Sequence, residues 1–299
     1  MGYQALSGII EPMTRMRGLV LGGGGITGIA WELGIVAGLA EHGVDLTTAD
    51  VVVGTSAGSA VGAQLLSGAR IEDLYAAQLA DATGERVWRM GVPALARFMI
   101  AAAWPGDGRR GRAYLGRRAL AARTIPESEF RAVFSSMLPG AGWPDRKLLI
   151  TAVDAVSGEP RVFDRDSGVE LADAVAASCA VPIVLPPITV AGRRYVDGGV
   201  RSIANADLAA GCDSVVVLAP VDFAFRPSLR INRQLRRLGE HVRSIVVTPD
   251  AAARKTIGSN VLDPARRGPA AKAGRDQAAT IVEAIRDVWT QTVSTGPTA

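Results

Sequence analysis

Asp50-Val51-Val52-Val53-Gly54-Thr55-Ser56-Ala57-Gly58-Ser59-Ala60-Val61-Gly62 reads as a strand, a sharp turn and a helix. Residues 51–53 are a β-branched run suited to a buried strand, and residues 60–66 have the small and apolar character of a helix packed under a sheet. Between them stands G-x-S-x-G. A serine at the apex of a strand-to-helix turn takes a strained backbone conformation, so Gly54 and Gly58 flank it where a side chain would collide with the neighbouring strand and helix. The turn exposes Ser56 Oγ at the C-terminal edge of a sheet. It also sets Ser56 at a helix N-terminus, whose free N–H groups favour negative charge nearby. The same five residues also fit a glycine-rich turn with an N-cap serine, and the choice between the two rests on the flanking sequence.

Upstream, the apolar residues 18–21 run into Gly22-Gly23-Gly24-Gly25-Ile26-Thr27-Gly28. Helical spacing follows over 29–40, with Trp31, Ile35 and Leu39 four apart, and stops at Gly43. Gly23, Gly25 and Gly28 match G-x-G-x-x-G, which would suit a dinucleotide site. The next strand, however, ends in the serine turn rather than in an acid for a ribose. Four consecutive glycines also offer unshielded N–H groups beside Ser56, and two convergent N–H groups are what an oxyanion needs.

Downstream, residues 70–140 suggest a helical cap. Trp88, Val92, Leu95, Phe98, Met99 and Trp104 form an apolar stretch, followed by Arg109, Arg110, Arg112, Arg117, Arg118 and Arg123. This fits a cap with a solvated basic face, or a lid resting on an anionic lipid surface. A strand over 148–153, a hairpin partner over 159–163 and a short helix over 171–177 follow. Then come a proline-broken segment, 177–187, and Gly192-Arg193-Arg194-Tyr195-Val196-Asp197-Gly198-Gly199, a short strand ending in an acid and two glycines. Asn205-Ala206-Asp207 reads as the start of a helix, and residues 214–218 as a buried strand. The basic segment 226–243 suggests an exposed helix or loop, residues 244–248 a strand, residues 264–291 a terminal helix, and residues 294–299 a frayed tail.

The 299 residues are 48% hydrophobic and 21% charged, enough for a large core. No linker or repeat divides them, so a single α/β domain is expected over 17–220, with residues 1–16 as an N-terminal extension and 221–299 packed on the same domain. A net charge of +4 fits an anionic surface as well as nucleic acid, but no nucleic-acid motif accompanies it and 5% aromatics argue against base-stacking platforms. Cys179 and Cys212 sit in apolar segments and read as buried thiols of a reducing compartment. The N-terminus shows no apolar signal segment and no run is long enough to span a bilayer, which suggests a cytoplasmic, at most peripheral, protein.

A nucleophilic serine needs a base. The two histidines, His42 and His241, both fall away from strand ends, so a carboxylate is expected. Asp197 has the strongest setting, at a strand end before two glycines that permit close backbone approach. Its other reading is a hairpin Asp-Gly. Asp154, Asp164 and Asp166 are rivals in turn-like contexts.

The ordered blocks Gly23-Gly24-Gly25-Ile26-Thr27-Gly28, Gly54-Thr55-Ser56-Ala57-Gly58, residues 177–187 and Asp197-Gly198-Gly199 with Asn205 resemble the patatin-like phospholipase family over about residues 17–220. The resemblance implies a three-layer α/β/α fold with a mostly parallel sheet and a Ser-Asp dyad. It makes Ser56 the nucleophile and Asp197 the base, with an oxyanion hole in the loop of Gly23, Gly24, Gly25 and Gly28. It also implies hydrolysis of lipid esters without metal or cofactor, with a broad esterase or thioesterase, or a silent lipid-binding protein on the same fold, as alternatives. Thr27 stands where the family usually carries Arg or Lys, which raises the question of how the loop is held.

Overall fold

The valine-rich runs become the centre of an eight-stranded sheet. A computed structural model describes residues 15–138, 142–224 and 226–290; all but two residues of the expected N-terminal extension, and the whole of the expected tail over 294–299, lie outside these. The chain runs β1 (Arg17–Leu21), α1 (Gly25–Glu41), β2 (Val51–Thr55), α2 (Ala57–Leu65), α3 (Ile71–Gln78), α4 (Val92–Ala102), α5 (Arg109–Leu120) and α6 (Glu127–Met137). It continues with β3 (Lys147–Asp154), β4 (Pro160–Phe163), α7 (Leu171–Ser178), β5 (Ile188–Val190), β6 (Arg193–Asp197) and β7 (Ser214–Leu218). Last come α8 (Ile231–Arg236), β8 (Arg243–Val247), α9 (Ala251–Ile257) and α10 (Arg267–Thr290).

Five strands lie parallel in the order β3-β2-β1-β7-β8. Side chains alternate between the two faces, as the pleat requires. Leu19, Leu21, Val52 and Ile150 face a core built with Trp31 and Ile35 of α1, Ala174 of α7 and Ala271 of α10. Val20, Val53, Leu149 and Val217 face the other way, onto Ile231 and Leu235 of α8. On that second face Val153 and Val196 pack against Phe98 of α4 and Leu115 of α5. The result is the three-layer α/β/α sandwich with a mostly parallel sheet that the family resemblance implied.

Two readings are corrected. Helix α1 begins at Gly25, not at residue 29, because its first turn is the glycine loop itself, which carries no apolar periodicity. Asn205 opens only a short 3₁₀ turn, Ala206–Ala209; Asn205 adopts φ 50, ψ 39, and its side chain is committed elsewhere instead of capping a helix.

The register of β3 decides where the site forms. β2 pairs with β3 as far as Thr55 opposite Thr151. β6, running the other way, starts opposite the next residue, with Asp197 against Ala152. Both must lie on the same edge of β3, since β4 occupies the opposite edge from Ile150 to Val153. The C-terminal ends of β2 and β6 therefore meet head to head, and Ser56 and Asp197 are the residues at the junction. Among the described residues no helix is long and apolar enough to cross a membrane.

Candidate active site

Ser56 holds φ 52, ψ −118 between β2 and α2, a conformation that non-glycine residues seldom adopt. Backbone contacts explain both flanking glycines. A Cβ on Gly58 would lie 2.1 Å from the Leu21 carbonyl oxygen, and one on Gly54 would lie 2.5 Å from Ser59 Cα. The turn is then tied from three sides. The Ser56 N–H donates to Ser178 Oγ at 2.9 Å, the Gly58 N–H to the Gly22 carbonyl at 3.0 Å, and Ser59 Oγ to the Ser56 carbonyl at 2.7 Å. Ser178, the last residue of α7, was not singled out by its sequence; only its place at the head of the proline-broken segment hints at a role.

The Asp197 carboxyl is buried, with its side chain accepting the Gly199 N–H at 2.7 Å. Burial raises its pKa from 3.8 to about 7, and the Gly199 N–H and the Ser56 hydroxyl pull in the opposite direction. Gly198 is pressed against Thr151, where a Cβ would lie 2.2 Å from Oγ1, so β6 can approach the end of β3 only with glycine there.

Asn205 fastens this junction from behind. Its fully buried amide donates to Thr55 Oγ1 at 3.0 Å, Thr151 Oγ1 at 3.2 Å and the Ser202 carbonyl at 2.8 Å. Thr151 Oγ1 in turn donates to Thr55 Oγ1 at 3.0 Å. Side chains from β2, β3 and the segment after Asp197 are locked together. Thr151 belongs to no motif, and Thr55 fills a variable position of G-x-S-x-G, so neither was marked by the sequence.

The glycine loop divides its N–H groups in a way the spacing did not foretell. The Gly23 N–H donates to the Ile203 carbonyl at 2.7 Å and the Gly28 N–H to the Gly24 carbonyl at 2.9 Å, so neither can serve an oxyanion as expected. The N–H groups of Gly24, Gly25 and Ala57 have no hydrogen-bond partner among the described residues. Thr27 is fully buried, and both its N–H (3.1 Å) and its Oγ1 (3.3 Å) donate to the Val261 carbonyl. A backbone strap from the C-terminal segment therefore holds the loop at the position where the family carries a cation. Beneath the loop, the Glu32 carboxyl is wholly buried with neither oxygen hydrogen-bonded. Desolvation raises its pKa well above the usual range, and attraction to the Gly22 N–H offsets this only in part.

The rival acids have other occupations. Asp154 accepts the Val156 and Ser157 N–H groups and pairs with Arg193 at 2.8 Å. Asp164 caps the 3₁₀ turn that contains Asp166. His42 sits at the far end of α1 from the loop, and His241 precedes β8, away from the C-terminal strand ends.

A cavity of about 340 Å³ opens onto Ser56. Ile29, Phe130, Phe134, Val181 and Leu185 line it, with Cys179 beside the serine and Arg86, Trp88 and Glu129 at its margin. Cys179 Sγ lies 3.7 Å from Ser59 Oγ, and its thiol is pushed far up by burial and by the charge of Asp197. Among the described residues no cluster of side chains could hold a metal ion.

The class defined here is a three-layer α/β/α protein whose sheet presents a strained serine and a buried carboxyl at one strand junction, open to an apolar cavity. A model of the patatin-like phospholipase family matches residues 19–210, and the chain belongs to that family, whose members hydrolyse lipid esters. No curated protein matches it in sequence. Among solved structures it is similar to VipD from Legionella pneumophila (16% identity, TM-score 0.47, covering 91% of this chain and 67% of that one). It is also similar to the type III effector ExoU (19% identity, TM-score 0.40, covering 90% of this chain and 53% of that one). A complex of ExoU with SpcU from Pseudomonas aeruginosa matches at 17% identity and TM-score 0.40, over 93% of this chain and 53% of that one. The chain thus spans about half the length of ExoU.

Proposed function

We propose that the protein is a serine lipid acyl hydrolase that cleaves carboxylic esters through a Ser56-Asp197 dyad. The observation that carries this reading is the strand junction that brings a strained serine, open to an apolar cavity, together with a buried carboxyl whose pKa is raised to about 7. Asp197 takes the Ser56 proton as Oγ attacks the acyl carbonyl. The tetrahedral oxyanion is received by N–H groups of Gly24, Gly25 and Ala57 at the N-termini of α1 and α2. On collapse the alcohol leaves with the proton from Asp197. Water, deprotonated by Asp197, then releases the fatty acid from Ser56.

The cavity gives the substrate class. Its volume is that of a small-ligand pocket, and its walls are aliphatic and aromatic, which suits an acyl chain better than a polar acyl donor. Treatment with a fluorophosphonate should add one adduct by intact mass, absent in Ser56→Ala, and turnover of p-nitrophenyl esters should rise with chain length. A flat chain-length profile would instead indicate a broad esterase or thioesterase. A folded wild type that takes no adduct would leave only a silent lipid-binding protein.

A further inference from the structure

Six of the eleven exposed large hydrophobic side chains among the described residues fall within residues 87–100: Val87, Met90, Val92, Leu95, Met99 and Ile100. Val92 is 80% exposed, and Leu95, Met99 and Ile100 are each half exposed. The outer side of α4 is thus apolar. Its inner side is apolar too, since Phe98 packs in the core containing Val196 and Val200, which flank Asp197. A helix with apolar residues on both sides is built to be covered.

The charge around it indicates by what. Residues 86–123 contain nine arginines and a single acid, Asp107. This segment carries +8, while the whole chain carries +4, so the remainder of the chain is net negative. Several of these arginines serve the fold. Arg112 donates to the Gly158 and Asp107 carbonyls, Arg109 pairs with Glu159 at 3.4 Å and Arg86 with Glu129 at 3.0 Å. Arg89, Arg110, Arg117 and Arg123 are exposed and have no acidic partner among the described residues.

Resting on the reading above, we propose that the exposed face of residues 87–100 docks this protein onto anionic lipid bilayers, with Arg89 and the free arginines of α5 meeting the headgroups. Arg86 and Trp88, which line the cavity onto Ser56, alternate in sequence with Val87 at the start of this exposed segment. Docking there sets the entrance to Ser56 close to the membrane plane. Apolar insertion and headgroup attraction act together, so binding needs both and weakens with salt.

The test is co-sedimentation of full-length Ser56→Ala, which leaves lipid intact, with phosphatidylcholine vesicles with and without phosphatidylserine. Leu95→Asp/Met99→Asp and Arg110→Glu/Arg117→Glu are added on that background and, separately, on the wild type. We expect binding to serine-containing vesicles that falls about tenfold or more in each double variant. Hydrolysis of soluble p-nitrophenyl butyrate by the same pairs on the wild type should stay unchanged, because these exposed side chains lie outside the site. Failure of the parent to bind anionic vesicles, or equal binding by the Asp pair, overturns the proposal. So does a parent self-association in sedimentation velocity that the Asp pair abolishes while vesicle binding is absent, since the face would then join two copies. Vesicle binding without ester hydrolysis by the wild type would retain the docking face and refute the hydrolase reading instead.

Discussion

At the Asp197 carboxylate, desolvation outweighs the hydrogen bonds that favour its charge, and the balance lands near neutrality. An ordinary aspartate with pKa near 4 would be too weak a base for an alcohol. A base works only when ionised, so kcat/KM on a soluble ester should rise through an apparent pKa near 7 and level off above it. An inflection near 4 would mean another group takes the proton. Ser56 shows the reverse economy, a residue held where its side chain is disfavoured. Glycine tolerates φ 52, ψ −118 and alanine does not, so Ser56→Gly should unfold about 1–2 kcal/mol later than Ser56→Ala in denaturant. The opposite order would show the turn to be unstrained. Both residues were legible in the sequence because Ser56 stands between Gly54 and Gly58 and Asp197 ends a strand before Gly198-Gly199. Thr55, Thr151 and Ser178 were not, since a buried hydroxyl that ties strand ends together looks like any other in a strand or helix.

Among the elements, strands and long helices followed the apolar pattern closely, because valine runs and the spacing of Trp31, Ile35 and Leu39 report burial directly. What escaped was everything fixed by contact between distant segments. The glycine loop offered four equivalent-looking residues, yet the carbonyls of Ile203 and Val261 decide which N–H groups stay free. Thr27, a departure from the family pattern, is explained only by a strap more than two hundred residues away. Likewise nothing in the local sequence marks Gly34 and Gly274. They allow α1 and α10 to pack backbone to backbone, with a Cβ on Gly34 only 2.1 Å from the Ala271 oxygen. Arg112, which read as one of a solvated basic row, is a bracket for the turn after β3.

For the molecule as a whole, buried acids set the response to pH. Glu32 and Asp197 have folded-state pKa values raised above 4.5 and 3.8, so their contribution is fully present below those values and lost as pH rises through the folded ones. Asp154 and Glu127 are lowered by N–H and hydroxyl donors and by arginine, though burial alone would raise them, and their contribution is lost on the acid side. Stability should therefore peak at mildly acidic pH. Glu32→Gln should melt higher than the wild type at pH 8, with the gap closing toward pH 4 by about 1.4 kcal/mol per pH unit within the window between the two states' pKa values. A gap independent of pH would mean that Glu32 is ionised in the folded chain.

The shared edge of β3 has one more consequence. Ser56 and Asp197 meet only because two strands running in opposite directions stop at adjacent rungs, Thr151 and Ala152, of a third. A slip of one rung by either strand would turn its terminal side chain toward the other layer of the sandwich. The juxtaposition of the two residues is therefore a gauge of correct strand alignment. Misaligned chains, however compact and well hydrogen-bonded, would lack it.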